Sequence, residues 1–258
     1  MIYGETAEYA GYAETVKKWR SYNISRESDI DKYLHSFKIL FAYNSGKIEN
    51  GEINYYDTRE IFENGKVSSF TGNVRTLFEQ QNQKDCYEIL KHRIIIKERL
   101  SVNLIKMMHF ELCKGIYDEK RYLENGEKPG EFKKHDYAVG RNEVGSDSKD
   151  VENDLIELID EVNNYNSDRN ADVLKIAAYL HANFVNIHPF ADGSGRTGIT
   201  LMNYYLMSNI IAVHPPVIIY EEDKRRYYEA LNVFDEKLII DYLYNFLKEE
   251  CVKTWKQM

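Results

Sequence analysis

The amino-acid sequence predicts an all-α protein, a helical bundle carrying one small β-hairpin. Apolar residues recur at i, i+3, i+4 and i+7 along most of the 258 residues. With 4 prolines and 14 glycines, neither a disordered nor a collagen-like chain fits. A single long stretch, 117–149, lacks the helical period and contains Gly126, Pro129, Gly130, Gly140 and Gly145.

The elements follow in order. Asp31 to Asn44 places Tyr33, Phe37, Leu40 and Phe41 on one apolar face. Ile96, Leu100, Leu104 and Met107 repeat the pattern in a second long helix. Within the irregular stretch, Glu131 to Val139 is expected to pair as the hairpin, with Phe132, Tyr137 and Val139 as its apolar positions. Val151, Leu155, Leu158, Ile159 and Val162 form a third helix. Val173 to Ile187 forms a fourth that stops at Pro189. Gly198 to Asn209 is apolar on all sides, as a central buried helix should be. Ile239, Tyr242, Leu243, Phe246 and Leu247 mark the last. The economical division is an N-terminal extension over 1–30 and one helical domain over 31–258.

Composition narrows the function classes. Hydrophobic residues at 43% and charged residues at 29% are values for a soluble globular protein. Lys plus Arg is 34 against Asp plus Glu at 42, a net charge of -8 that argues against sequence-independent nucleic-acid binding. A local basic pocket for a phosphorylated small molecule is still allowed. Cys86, Cys113 and Cys251 are too few and scattered for a disulfide framework, and read as free thiols. No apolar run approaches the ~20 residues that span a bilayer, and the N-terminus lacks a signal-peptide pattern. A cytoplasmic location with no membrane partner is the expectation.

The chemistry concentrates in His188-Pro189-Phe190-Ala191-Asp192-Gly193-Ser194-Gly195-Arg196, between two helices. Gly193-Ser194-Gly195 allows a tight turn whose backbone N–H groups point at one anion. The helix that follows attracts anions at its N-terminus. Arg196 adds a cation with bidentate geometry for phosphate oxygens. Asp192 is a hard oxygen ligand suited to Mg²⁺ bridging phosphates. His188 titrates near neutral pH and can serve as a general base.

These residues carry a resemblance. The string resembles the signature of the Fic family, H-x-F-x-[D/E]-G-N-G-R-x-x-R, with His188, Phe190, Asp192, Gly193, Gly195 and Arg196 matching. Ser194 stands where the family has Asn, and Ile199 where it has a second Arg. Leu180 to Ile187 is similar to the family's lead-in helix, and Tyr227-Tyr228-Glu229-Ala230-Leu231 to a later segment. Upstream, Ser45-Gly46-Lys47-Ile48-Glu49-Asn50 resembles the family's inhibitory pattern [S/T]-x-x-x-E-[G/N], on a helix over about 31–50.

The resemblance implies a Fic-like helical bundle and a protein adenylyltransferase that moves AMP from ATP to a Tyr, Thr or Ser hydroxyl of a target protein or of itself. His188 would be the base, Asp192 would hold Mg²⁺, and Gly193, Ser194, Gly195 and Arg196 would bind the nucleotide. Ser45, Glu49 and Asn50 would form the inhibitory motif. Phe132, Tyr137 and Val139 would belong to a flap that pairs with the target backbone. In the family the second Arg holds the outer phosphate and pairs with the inhibitory Glu, and Ile199 can do neither. Other readings are a weak or inactive nucleotide-binding protein, transfer or removal of another phosphate-linked group, and a metal-dependent hydrolase using His181, His188 and Asp192. A homo-oligomer is compatible with the sequence. His35, His92, His109, His135 and His214 have no partners at ligand spacing and read as structural or surface residues.

Overall fold

The computed structural model describes residues 7–68, 70–139, 142–143, 145–165, 172–209, 213–256 and 258. The α-helices among them are α1 (Ala7–Ser21), α2 (Glu27–Tyr33), α3 (His35–Glu49), α4 (Tyr55–Asn64), α5 (Val74–Ile95), α6 (Val102–Cys113), α7 (Val151–Tyr165), α8 (Val173–Ile187), α9 (Ser194–Ser208), α10 (Lys224–Lys237) and α11 (Asp241–Lys256). A π-helical turn covers Lys120–Glu124 and a 3-10 turn Glu221–Asp223. No described helix is long and apolar enough to cross a membrane.

The expected central helix is α9. It buries Leu201, Met202, Tyr204, Tyr205 and Leu206 and packs against α3, α5, α6 and α8. Apolar side chains on every face leave it nowhere stable but the middle of the bundle. α7 and α8 lie where their periodicity puts them. Asp172 caps α8 by accepting from the backbone of Leu174 and Lys175.

Several elements differ from the sequence expectation. The helix expected through 31–44 is interrupted at Leu34, which is fully buried at φ −108° and ψ 14°, and it resumes as α3 as far as Glu49. The boundary drawn after residue 30 therefore falls inside α2, and Trp19 and Ile30 join the main core. The helix expected across 96–107 starts only at Val102. Lys97 is left-handed at φ 54°, and the Ser101 hydroxyl accepts from Leu104 N at 3.2 Å. The pairing expected within 131–139 is not there. The ladder among the described residues is two residues long, Ala138 opposite Glu143 and Val139 opposite Asn142.

The helix α5 has no counterpart in the sequence reading. Its buried positions include Thr76, Glu79, Gln80, Gln83, Cys86, Leu90 and Ile94. The helical period is present, but it is written largely in polar residues, so hydrophobicity does not reveal it. This polar face lies under the candidate site.

Candidate active site

The turn between α8 and α9 is shaped by its own residues. His188 ends α8 in the left-handed region at φ 49°, its N–H donating to Phe184 O at 3.1 Å. The Ser194 hydroxyl accepts from Phe190 N at 3.2 Å and lies 3.3 Å from Phe190 O, so this side chain closes the turn. Gly193 has φ 80°, and a Cβ there would lie 2.3 Å from Cys113 Sγ. Turn and thiol can be this close only because residue 193 has no side chain.

His109 of α6 braces the turn from below. Its Nδ1 accepts from Gly130 N at 2.8 Å, which leaves Nε2–H to donate to Asp192 O at 2.8 Å. Its ring stacks on Phe190 with centroids 3.6 Å apart. Burial pushes its imidazole down to about 4, so it is neutral at pH 7.

A charge network lies beside the turn. Asp192 Oδ2 accepts from Arg75 Nη2 at 2.8 Å, and Oδ1 lies 3.4 Å from Arg196 Nη2. Glu79 Oε1 receives Arg75 Nε at 3.0 Å and lies 3.2 Å from Arg196 Nη1. Glu79 Oε2 accepts from Asn50 Nδ2 at 2.8 Å. Burial opposes the charge on Asp192, but Arg196 and Arg75 outweigh it and hold the carboxyl below its usual range. Arg196, only 3% exposed, is thus compensated by carboxylates on two other elements.

A cleft of about 840 Å³ opens over the turn, lined by Glu49, His188, Asp192, Gly193, Ser194 and Gly195, with Arg121, Tyr137, Tyr227 and Tyr228 around them. Burial and the nearby Lys133 charge push the His188 imidazole down to about 4. Its neutral, proton-accepting form therefore prevails at pH 7. Glu49, the last residue of α3, reaches into the cleft. A Cβ on Gly195 would lie 2.1 Å from its Oε1, so the carboxylate rests on the glycine backbone. Burial raises the Glu49 carboxyl, against the pull of Arg196 and Lys224.

The residues expected at the site are distributed as follows. His188, Asp192, Gly193, Ser194, Gly195 and Glu49 line one cleft, with Arg196 buried beside it. Asn50 touches the site through Glu79. Ser45 is buried within α3, and its hydroxyl has no hydrogen-bond partner among the described residues. Ile199 is 1% exposed and belongs to the core. Tyr137 lines the cleft, its hydroxyl donating to Glu127 Oε1 at 2.9 Å. Phe132 packs near Phe190 at 5.8 Å with Lys106 Nζ 3.9 Å over its ring. The side chain of Val139 lies outside the described residues.

Sequence reasoning missed several supports. Glu127, fully buried, accepts from Lys134 N at 2.9 Å, pairs with His135 Nδ1 at 3.0 Å and receives Tyr137. It organises a turn where no period marks it. Lys133 N donates to Pro189 O and Ser146 N to Ile187 O, both at 3.0 Å, joining the irregular stretch to the site. Gly145, at φ 86°, would place a Cβ 2.5 Å from His188 Cβ. The glycine was legible in the sequence, its contact with His188 was not. His181, offered as a metal ligand, instead pairs with Tyr227 OH at 2.7 Å and is fully buried.

Among the described residues no cluster of three or more His, Cys, Asp or Glu could hold a metal ion. Asp192 nonetheless fits Mg²⁺ arriving with a nucleotide, because that ion keeps several waters and needs one or two carboxylates besides phosphate oxygens. Its carboxyl is ionised and lines the cleft. Arg75 and Arg196 are the partners the ion would share it with.

A buried lead-in helix, a glycine turn with a histidine before it and an arginine after it, and a carboxylate from a preceding helix thus meet at one cleft. The Fic/DOC family model matches residues 99–206. That stretch, which holds the turn 188–196, is therefore similar to the Fic/DOC family. Protein adenylyltransferase Fic of Aedes aegypti is 29% identical over 204 residues, 77% of this chain and 37% of that protein. Protein adenylyltransferase fic-1 of Caenorhabditis elegans is 26% identical over 215 residues, 82% of this chain and 39% of that protein. The chain thus spans well under half the length of these curated relatives. Among solved structures, a Fic domain containing signaling protein from Bacteroides thetaiotaomicron superposes with a TM-score of 0.80 at 21% identity, covering 95% of this chain and 94% of that one. A fragment of Fic-1 from C. elegans gives 0.77 at 20% identity, covering 96% and 70%. These likenesses establish the fold.

Proposed function

We propose that the protein is a protein adenylyltransferase that transfers AMP from ATP to a hydroxyl side chain of a target protein or of itself, restrained by Glu49. One observation carries this reading. A neutral, half-buried His188 lines a cleft together with the Gly193–Gly195 turn, and the buried cation Arg196 lies beside it. The names of the relatives support the same reaction.

The site's own residues account for the steps. The target hydroxyl gives its proton to a ring nitrogen of His188 as its oxygen bonds to the α-phosphorus. The bond from that phosphorus to the bridging oxygen breaks, and pyrophosphate leaves. Backbone N–H groups at the start of α9 and the Arg196 guanidinium meet the charge that develops on the phosphoryl oxygens. Asp192 would hold Mg²⁺ bound with ATP, which neutralises phosphate charge. Tyr227 and Tyr228 give the cleft an aromatic wall suited to a flat base. Tyr137 and the two-residue ladder at 138–143 form the flap on which a target segment would lie.

The resting protein holds its own anion where a phosphate would sit, because the Glu49 carboxylate rests on Gly195. Two unit charges about 4 Å apart repel by roughly 4 kcal/mol at an effective dielectric of 20, so Glu49 opposes nucleotide entry without needing an arginine at position 199. A second reading, nucleotide binding without transfer, is favoured by Asp192, whose two oxygens already face Arg75 and Arg196. Three buried free thiols suit a cytoplasmic, reducing setting.

The test is incubation of the Glu49→Gly protein with ATP labelled at the α- or the γ-phosphate. Adenylyl transfer deposits only the α-label, and His188→Ala abolishes it. Deposition of the γ-label would assign phosphoryl transfer instead, and no label of either kind would support the binding reading.

A further inference from the structure

The short ladder beside the cleft is tied down at both ends, by different residues. Its return end meets the close of α8, where Ser146 N donates to Ile187 O at 3.0 Å and Gly145 lies against His188. Its outgoing end is held by one side chain. Glu127 Oε1 accepts from Lys134 N at 2.9 Å, from His135 Nδ1 at 3.0 Å and from the Tyr137 hydroxyl at 2.9 Å, and Oε2 lies 3.2 Å from Lys134 N. Ala138, the next residue, opens the ladder opposite Glu143.

Three donors on one carboxylate fix where the ladder begins. Lys133 N donates to Pro189 O in the catalytic turn, so residues 133–137 run between that turn and Glu127. In a strand a slip of one residue turns every side chain to the other face. The strand after Tyr137 therefore takes its register from Glu127. The carboxylate is fully buried, and bonds to a buried carboxylate are strong and costly to lose. The bonds of Glu127 run to residues 121–137, its N–H donating to Arg121 O at 2.9 Å, and among the described residues they do not include the turn 188–196.

We propose that Glu127 is a positioning residue for the acceptor: by holding residues 134–137 it sets the register in which the ladder presents a hydroxyl to His188. A misplacement of about 1 Å between reacting groups can cost about 10²-fold in rate. ATP is held by the turn, so Glu127 acts on the acceptor and leaves nucleotide binding alone. The assignment rests on the adenylyl-transfer reading above.

Self-labelling of the full chain in the Glu49→Gly background tests it, followed with α-labelled ATP over a range of ATP concentrations at fixed protein concentration. The limiting rate reports the acceptor, and the half-saturating ATP concentration reports the nucleotide site. Glu127→Ala should lower the limiting rate about 10²-fold and leave half-saturating ATP unchanged. Glu127→Gln, which keeps one accepting oxygen and the side-chain volume, should recover about tenfold of that loss. It also carries the test by itself if the alanine variant does not fold, with a limiting rate about tenfold below that of Glu127. An unchanged limiting rate in Glu127→Gln, or a half-saturating ATP concentration that rises as the rate falls, overturns the assignment alone. A Glu49→Gly protein that takes no label with Glu127 intact overturns the adenylyl-transfer reading, and this assignment with it.

Discussion

The turn 188–196 and the inward face of α5 meet at Arg196, yet they are written in different ways. In the turn each residue type carries its own local consequence. Glycine permits the left-handed Gly193, proline helps end α8, and histidine and arginine bring chemistry that needs no distant partner to be recognised. The α5 face works only in place. Glu79 is one acidic residue among 42 acidic residues until the fold sets it against Arg75, Arg196 and Asn50. The site is thus a local motif completed by a tertiary complement, and only the first half announces itself in sequence.

Breaking the turn should have the largest effect. His188→Ala removes the base and should cost about 10²–10⁴-fold in transfer, measured with α-labelled ATP. Breaking the α5 face should cost stability. Glu79→Ala leaves buried Arg196 with Asp192 as its one remaining ion-pair partner among the described residues, and urea unfolding should register about 3 kcal/mol. An effect below about 0.5 kcal/mol would reduce Glu79 to an ordinary surface acid. Removing the link between the regions should free the site, since Glu49→Gly clears Gly195 and should raise labelling about tenfold. The smallest effect belongs to Ser194→Ala, which loses only the hydroxyl closing the turn, about 1 kcal/mol in thermal or urea unfolding.

Acid should act on the whole bundle. His109, His181, His188 and His214 are each pushed by burial to about 4, from an unfolded value of 6.5. As pH falls the unfolded chain takes up these protons first. The stability they contribute is therefore whole above about 6.5 and is lost as pH drops towards 4. Urea midpoints across that window check this, and a flat profile would mean the rings are solvated.

The same contrast governs what was legible elsewhere. α7, α8 and the central α9 are written in apolar periods, and the structure has them. Leu34 and Lys97 break helices that the apolar pattern carries straight through, because a burial pattern does not encode a single non-helical φ. His109 read as structural or surface, and it is the ring that fixes Asp192 O and carries Phe190. Its role depends on residues 130 and 192, which no local spacing joins to it. Ser194 read as a nucleotide ligand, and its hydroxyl is spent on the turn with Phe190.

The central claim is that the turn 188–196 is a nucleotide-transfer site occupied at rest by Glu49. Intact-mass spectrometry of the Glu49→Gly protein after incubation with ATP and Mg²⁺ tests it most directly. The account predicts addition of AMP, absent from the Glu49→Gly/His188→Ala double variant and weaker with Glu49 in place. Equal addition with and without His188, or none in any variant, would contradict it.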